Sequence, residues 1–394
     1  MTEPANPFEF GRELSPDELV DREAELAAVT NTIARHGKLF LIGPRRYGKT
    51  SILRVASTLA ERDGACVFRY DAQAFPTVTE LAERLAADTV QRLTSSVERA
   101  GKAVLDFFST VRPTASFDPH EGKWSLSLAG ATSRTGGGVL LADVLDGLER
   151  AAAKSKRRVA VIIDEFQEVI ERGGDTAEEQ IRSAIQRHTH VGYVFAGSRT
   201  RLLADMVSDA SRPFYRLGSV HFLGPIPRAD FTAFLSAAFK RTGLTITRDG
   251  VDALLDLAAD VPYNVQALAS ACWNSAMLAM PRKRGQARPP IDAAFVAMIM
   301  EGEARRLDPL YMQIWTGLTA PQRQALIAVI REKGQRLLAT TVGMKYRLPI
   351  PTMQRSLAAL EKKLIIREDT LAGSVSYRLE DPLFQRWIIF AIAR

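Results

Sequence analysis

The chain has 394 residues, of which 46% are hydrophobic and 25% are charged, and its formal net charge is +7. This length and composition predict two or three globular domains, each with its own hydrophobic core. No apolar run is long enough to span a bilayer, so we expect no membrane partner. Two cysteines, Cys66 and Cys272, exclude a disulfide framework and a cysteine-based metal cluster. The first four residues lack the pattern of a signal peptide, and we expect a cytoplasmic protein.

The N-terminal part of the chain leads into a phosphate-binding motif. Residues 1–37 are predicted to form an extended N-terminal segment followed by a helix from Asp21 to His36. The apolar run Leu39–Ile42 then predicts a buried parallel strand, and residues 43–50 read GPRRYGKT. This sequence fits the pattern G-x-x-x-x-G-K-[ST], and the helical spacing from Thr50 to Glu61 completes the strand–loop–helix setting that the motif requires.

The chemistry of this loop predicts binding of a nucleoside triphosphate with magnesium. Its glycines allow backbone N–H groups and a helix N-terminus to point at a β-phosphate. We expect Lys49 to reach the β- and γ-phosphates and the Thr50 hydroxyl to bind Mg²⁺. The predicted nucleotide-binding residues of the loop are Gly43, Pro44, Arg45, Arg46, Tyr47, Gly48, Lys49, Thr50 and Ser51.

Residues 38–225 alternate apolar strands with helical patterns. This order is typical of an α/β domain with a parallel sheet and helices on both faces. An irregular stretch at 110–138 is predicted to be an insertion or hairpin. The predicted strands are Lys38–Ile42, Ala65–Asp71, Arg158–Ile163, Gly192–Ala196 and Val220–Leu223.

Two adjacent carboxylates end the third of these strands. We expect Asp164 to hold Mg²⁺ and Glu165 to orient and polarise the attacking water. The alternative interpretation is a strand end capped by two surface acids. Ser198 follows the next strand, at the sheet edge where ligands of this architecture bind, and is predicted to contact the γ-phosphate or the water. As a lone serine after a strand it could equally be a turn residue.

Residues 226–310 are predicted to form a helical lid domain. Its helices are expected at Arg228–Thr242, Arg248–Asp260, Tyr263–Met280 and Asp292–Glu303. The basic loop Pro281–Pro290 is a weak candidate for nucleic-acid contact, and a solvated connection is the simpler interpretation.

Residues 311–394 have the pattern of a winged-helix domain. A helix opening near Thr319 and Pro321, a second near Thr340 and a third from Pro351 to Lys363 precede two short strands, Ile365–Glu368 and Ser374–Leu379. The third helix spaces Met353, Leu357, Leu360 and Leu364 for one apolar face.

Basic residues are concentrated in this last part of the chain. Residues 301–394 hold 15 Lys and Arg against 9 Asp and Glu, nearly all of the net charge. Such an excess suggests a polyanion, here duplex DNA, although a mild excess can also be solvated surface. Lysine and arginine suit phosphates, and a glutamine can reach a base edge. The predicted DNA-binding residues are Lys345, Arg347, Gln354, Arg355, Lys362 and Lys363.

Several motifs resemble those of the AAA+/STAND-type P-loop ATPases, especially the archaeal and bacterial ATPases with a C-terminal winged helix. The resemblance covers most of the chain. The matching stretches are NPFEFG at 6–11, VDREAEL at 20–26, GPRRYGKTS at 43–51, DEFQ at 164–167 and FAGS at 195–198.

The resemblance implies an AAA+-like parallel sheet, a helical lid and a winged helix, with the N-terminal segment near the adenine. It also implies that Arg212 acts as a sensing or trans-acting arginine. The alternative is that Arg212 only caps a helix or pairs with a surface acid. Pro262 would contact the nucleotide, although Asp260 replaces the glycine of the Gly-x-Pro lid motif.

The predicted function is that of a magnesium-dependent ATPase, a slow or partner-stimulated switch coupled to a DNA-binding winged helix. We expect ATP and ADP as ligands and homo-oligomer formation on ATP binding. The alternative is a STAND-like signalling or scaffold protein with little turnover, whose winged helix docks a protein partner. A small-molecule kinase is disfavoured, because a winged helix stands where an acceptor pocket would be needed.

Overall fold

The computed structural model describes residues 4–15, 18–93, 114–118, 123–127, 137–174, 176–198, 200–278, 289–371 and 374–392. These residues divide into two compact units. One comprises Gly11–Pro225, and the other joins the N-terminal residues up to Phe10 to Ile226–Arg394. Among the described residues, no helix is both long and apolar enough to cross a membrane.

The first unit is built around a parallel sheet. Its strands are β1 (Lys38–Ile42), β2 (Cys66–Asp71), β5 (Val159–Asp164), β6 (Val191–Gly197) and β7 (Ser219–Phe222), with β3 (Thr114–Asp118) and β4 (Lys123–Ser127) forming a separate antiparallel pair. The order across the sheet is β2–β5–β6–β1–β7, with every pairing parallel. This order places β1 between β6 and β7, with β5 beyond β6.

Helices surround this sheet. They are α1 (Glu23–Ala34), α2 (Lys49–Arg62), α3 (Val78–Leu93), α4 (Gly137–Lys154), α5 (Gln167–Gly173), α6 (Ala177–Ile185) and α7 (Thr200–Ser208). The predicted parallel-sheet α/β fold is confirmed, and the five predicted strands are found within one residue at either end. The prediction succeeded because β5 and β6 are buried along their whole length and therefore read as continuous apolar runs.

The irregular stretch predicted at 110–138 is partly described. The β3–β4 pair matches Thr114 with Ser127 and Asp118 with Lys123, so this part is a hairpin. Helix α4 begins at Gly137, one residue before the predicted end of the stretch. The other residues of the stretch lie outside the described part of the chain.

A buried polar network lies at the beginning of β6. The His188 ring nitrogens lie 2.7 Å from the Tyr193 hydroxyl and 2.8 Å from Asp146 Oδ1, and His188 is 4% exposed. Lys38 Nζ donates to the His188 carbonyl, and Glu149 lies in the same charged surroundings. Burial lowers the pKa of His188, despite the opposing effect of its hydrogen bond to Asp146. The folded protein therefore favours the neutral imidazole.

This network predicts a pH-dependent stability. As the pH falls below about 6.5, the unfolded chain takes up a proton that buried His188 resists, so the free energy of unfolding should fall, by at most about 1.4 kcal/mol per pH unit. Urea denaturation between pH 7.5 and pH 5.5 measures this slope. His188→Gln should reduce it, whereas His190→Gln, at a side chain that is 51% exposed, should behave like the parent. An unchanged slope in His188→Gln would contradict the assignment.

The second unit begins with helices that follow the predicted order. They are α8 (Arg228–Arg241), α9 (Arg248–Leu257), α10 (Pro262–Leu278), α11 (Ala293–Arg306) and α12 (Asp308–Thr316). The prediction that the second helix continues to Asp260 is wrong, because Ala259 and Asp260 have φ angles of 56° and 55°. Two consecutive left-handed residues cannot continue a right-handed helix. Most of the basic loop Pro281–Pro290, namely its residues up to Arg288, lies outside the described part of the chain.

The N-terminal residues pack on two of these helices. Asn6 Nδ2 donates to Ser270 Oγ at 2.8 Å and to Asn274 Oδ1 at 3.0 Å, both on α10. Phe8 is 3% exposed, and its ring centroid lies 4.6 Å from that of Phe239 on α8. The NPFEFG stretch is therefore an integral part of the second unit up to Phe10.

The C-terminal residues form three helices, a hairpin and a final helix. These are α13 (Ala320–Arg331), α14 (Thr340–Lys345), α15 (Ile350–Lys362), β8 (Ile366–Leu371), β9 (Ser374–Leu379) and α16 (Pro382–Ala391). A capping box between Thr319 and Gln322 fixes the start of α13. The strands pair antiparallel, with Ile366 opposite Leu379.

One apolar core joins these elements and includes residues before 311. It contains Met353, Leu357 and Leu360, as predicted. Leu364 does not belong to it: this residue follows the helix at φ 57° and is 43% exposed. The division into a lid domain and a winged-helix domain stays a prediction. The predicted boundary between residues 310 and 311 falls inside helix α12.

Candidate nucleotide-binding site

The loop between β1 and α2 has backbone geometry that a larger residue would disrupt. A Cβ atom at Gly43 would lie 2.6 Å from Leu223 Cβ, so only glycine fits there without displacement of the neighbouring strand end. Gly48 caps α2 at φ 90°, in the left-handed region that glycine adopts without strain. The N-terminus of α2 therefore opens directly onto the loop, where its N–H groups and dipole favour an anion.

The other loop residues have different exposures. Tyr47 is buried, Pro44 and Arg45 are half-buried, and Arg46 is exposed at φ 67°. Ser51 Oγ accepts a hydrogen bond from the Leu14 N–H at 3.1 Å, which fastens the N-terminal part of this unit to α2.

Lys49 places a buried positive charge inside the loop. The residue is 5% exposed, and its Nζ donates to the Gly43 carbonyl at 2.9 Å and the Pro44 carbonyl at 3.0 Å. A buried ammonium needs such acceptors to offset the loss of water. The loop thus holds the charge next to the N-terminus of α2.

Thr50 and Asp164 meet at the ends of two elements that are far apart in sequence. The Thr50 hydroxyl donates to Asp164 Oδ2 at 2.7 Å, and Asp164 is 5% exposed. Burial raises the pKa of Asp164, against the lowering effects of the Thr50 hydrogen bond and the Lys49 charge. A hydroxyl and a buried carboxylate are hard oxygen donors, and their contact suits a Mg²⁺ ion that keeps several of its waters.

Glu165 is held in one orientation by three hydrogen bonds to one oxygen. Its Oε2 accepts from Gln167 Nε2 at 2.5 Å, from Ser198 Oγ at 2.7 Å and from the Ser198 N–H at 3.2 Å. Burial would raise the pKa of Glu165, but the Gln167 hydrogen bond, the Lys49 charge and the Ser198 hydrogen bonds outweigh it, so the pKa is lowered. The carboxylate is therefore stabilised in its ionised form.

Parallel pairing brings these side chains together. Ile42 pairs with Gly197, and Asp164 ends the strand next to β6, so the loop, Glu165 and Ser198 share one edge of the sheet. Arg45 Nε also lies 3.4 Å from Ser198 Oγ. The hydrogen bond from Gln167 to Glu165 was not predicted from the sequence. The only sequence feature that pointed to Gln167 was its place as the last residue of the stretch DEFQ.

Residues 33–204 match the family model of an AAA domain. Among solved structures, the chain resembles the Walker-type ATPase of Pyrococcus abyssi, with 18% identity, a TM-score of 0.61, and coverage of 97% of this chain and 99% of that one. It also resembles the ORC2 protein of Aeropyrum pernix in ADPNP–ADP complexes, with 14% identity, a TM-score of 0.54, and coverage of 96% and 95%. No curated protein matches the chain in sequence. At these identities the structural likeness shows the fold alone, an α/β P-loop fold that these two proteins share.

In the first unit, beyond the residues that match the AAA domain, Arg212 is held by an acid of the same chain. Its Nη2 lies 2.6 Å and its Nε 3.1 Å from Glu178 Oε2 on α6, and Glu178 is 7% exposed. Arg182 donates to the carbonyls of Pro213 and Tyr215 and so fastens the same loop. Arg212 therefore forms an ion pair, as its alternative interpretation expected, but with a buried acid rather than a surface acid; a trans-acting role stays a prediction.

Pro262 belongs to the second unit, where it is the first residue of α10. The tight turn before it persists without glycine, because Asp260 adopts the left-handed conformation itself. Arg228 Nη2 donates to Asp260 Oδ2 at 2.9 Å and to Asp256 Oδ1 at 2.6 Å, which fixes the turn. Contact between Pro262 and a nucleotide stays a prediction.

The six predicted DNA-binding residues do not form one equivalent set. Gln354, Arg355 and Lys362 lie on the exposed face of α15. Lys345 is paired with Glu332, at 2.7 Å, which offsets its charge. Exposed Arg347 follows α14, and Lys363 Nζ lies 3.3 Å from the Gly317 carbonyl.

Proposed function

We propose that the protein binds ATP with Mg²⁺ and hydrolyses ATP to ADP and phosphate. The observation that carries this proposal is the meeting of three groups at one sheet edge: buried Lys49, the Thr50–Asp164 contact, and Glu165 held by Ser198. Each group supplies one requirement of phosphoryl transfer, namely charge neutralisation, metal binding and orientation of water. The AAA domain match supports the same assignment.

The residues divide the reaction between them. The N–H groups of the loop and Lys49 bind the β- and γ-phosphates, and Thr50 and Asp164 hold the metal. Bound Mg²⁺ supplies charge neutralisation at the phosphates. Glu165 orients the water for in-line attack and takes its proton, while the Ser198 hydroxyl lies beside the reacting phosphate. Catalysis then depends on positioning and charge rather than on a covalent intermediate.

Phosphate release measured with and without duplex DNA tests this proposal. We expect ATP turnover that a metal chelator abolishes, and an oligomer-sized mass in the presence of ATP. Turnover that DNA accelerates would identify the partner-stimulated form of the enzyme. A protein that binds no ATP, or binds ATP and releases no phosphate under any of these conditions, would overturn the hydrolase assignment.

We also propose that residues 311–394 are a winged helix that binds duplex DNA. The helix–helix–helix–hairpin order and the exposed face of α15 support this proposal, since a reading helix needs a solvent-facing polar surface. Arg355 and Lys362 suit phosphates, and Gln354 suits a base edge. Nucleotide state would then control a DNA contact.

Salt dependence tests the DNA contacts. Phosphate binding releases counterions, so the affinity should fall as salt rises, and Arg355→Ala or Lys362→Ala should reduce the slope of log K against log salt by about 1 each. Fluorescence anisotropy with a labelled duplex measures it. Arg84→Ala is the control, because Arg84 lies on α3 of the other unit and pairs with Asp88 at the surface. An affinity that does not change with salt would contradict the assignment.

Docking of a protein partner is the second candidate for this region. Met344 on α14 is 75% exposed and Leu338 is 41% exposed, which suits an apolar contact better than a phosphate backbone. The Lys345–Glu332 pair likewise reduces the local positive charge. ATP binding with little turnover and no DNA affinity would favour this switch or scaffold function.

A further inference from the structure

Gln167 is a fully buried amide beside the proposed catalytic carboxylate. It is 0% exposed and opens helix α5, two residues after Glu165. Its Nε2 donates to Glu165 Oε2 at 2.5 Å, while its Oε1 has no hydrogen-bond partner among the described residues. The amide N–H of Gln167 thus hydrogen-bonds the Glu165 carboxylate, while the amide oxygen has no partner in the described part of the chain.

The surroundings of Gln167 leave the amide little room to move. A Cβ atom at Gly197 would lie 2.2 Å from Gln167 Oε1, so the end of β6 packs directly against the amide. The side chain has no exposed surface, and the end of β6 lies against its amide oxygen. A side chain at position 197 would displace the Gln167 amide, so Gly197 allows the amide to stay beside Glu165.

Stability does not explain a polar residue at this position. A buried oxygen without a partner destabilises the fold, and an apolar side chain of similar shape would avoid that loss. The contact with Glu165 is what an apolar residue could not supply. Residues that reduce stability in this way are expected at functional sites.

We infer that Gln167 is a positioning residue that holds the Glu165 carboxylate during ATP hydrolysis. This inference rests on the proposed function. The other two donors to Glu165 come from Ser198, which the proposed mechanism also places beside the γ-phosphate. The Gln167 donor is enclosed and keeps its contact with Oε2 when the Ser198 hydroxyl turns toward the phosphate.

Gln167→Met tests this role, because methionine has a similar length and no donor. We expect kcat to fall about 10–100-fold, the range found when an outer-shell partner that orients a metal ligand is lost. The Kd for ATP should stay within about twofold of the parent value, since the proposed mechanism gives Gln167 no part in nucleotide binding. The melting temperature should be unchanged or higher. Gln180→Met is the matched control: Gln180 lies on α6 of the same unit and also carries a buried, unpartnered Oε1.

A double-mutant cycle separates positioning from a general structural effect. If Gln167 acts through Glu165, Gln167→Met should cause no further loss in a Glu165→Gln background. An equal loss in both backgrounds, a parent-like kcat in Gln167→Met, or a fall in kcat matched by weaker ATP binding would each overturn the inference. Failure of the proposed function is distinct, because the parent itself would then release no more phosphate than Glu165→Gln.

Discussion

Glu165→Gln is expected to retain ATP binding and to lose hydrolysis by about 10²–10⁴-fold, the usual contribution of a general base. The amide has nearly the shape of the carboxylate but cannot accept the proton of the attacking water. Lys49, Thr50 and Asp164, the residues proposed to bind phosphate and metal, are unchanged. Single-turnover phosphate release measures the rate, and calorimetric titration with ATP measures the affinity.

The matched control for this variant is Glu179→Gln, the same substitution at an exposed position in the first turn of α6. It should hydrolyse ATP at the parent rate. Equal hydrolysis by Glu165→Gln and the parent would remove Glu165 from the mechanism. A simultaneous loss of affinity and rate would indicate that the carboxylate supports the fold of the site instead.

The elements around the site were predictable because their signals are local. Strands β1, β5 and β6 are buried on both faces and read as short apolar runs, while the loop after β1 has fixed spacing. Parallel pairing then brings the ends of these strands to one edge, as the general rule for ligand sites in open sheets predicts. Lys49, Thr50, Asp164, Glu165 and Ser198 were therefore placed together from sequence alone.

The contacts within the site were not predictable from local signals. Glu165 and Ser198 are 33 residues apart, and Arg212 and Glu178 are 34 apart, so sequence spacing carries no information on either pair. For Gln167, the sequence shows only that it is the last residue of the DEFQ stretch. Its role follows from burial, an unsatisfied oxygen and a distance, none of which a sequence displays.

Backbone conformation explains the remaining differences. Asp260 replaces the glycine of the lid motif, yet the turn forms, because aspartate is among the residues that enter the left-handed region most readily. Leu364 continued the apolar spacing of α15, but the helix ends at Lys362 and the left-handed turn carries Leu364 into solvent. Periodicity predicts the side of a helix and cannot by itself predict where the helix ends.

Lys49→Ala is expected to weaken ATP and ADP binding by at least about 100-fold, or roughly 3 kcal/mol, the upper range for a hydrogen bond that involves a charge. The substitution removes the buried charge next to the N-terminus of α2, and it leaves the carbonyls of Gly43 and Pro44 without that donor. Calorimetric titration or a fluorescent nucleotide measures the affinity, and thermal unfolding without nucleotide measures any loss of stability.

Arg62→Ala is the control for Lys49→Ala, because it removes one positive charge from the exposed last turn of the same helix. At 1.5 Å per residue, Arg62 lies about 20 Å from Lys49, beyond a Debye length at physiological salt. It should bind ATP like the parent. If both variants lost affinity equally, the effect would come from net charge; a loss confined to Lys49→Ala, with an unchanged melting temperature, would assign the phosphate contact to this one ammonium.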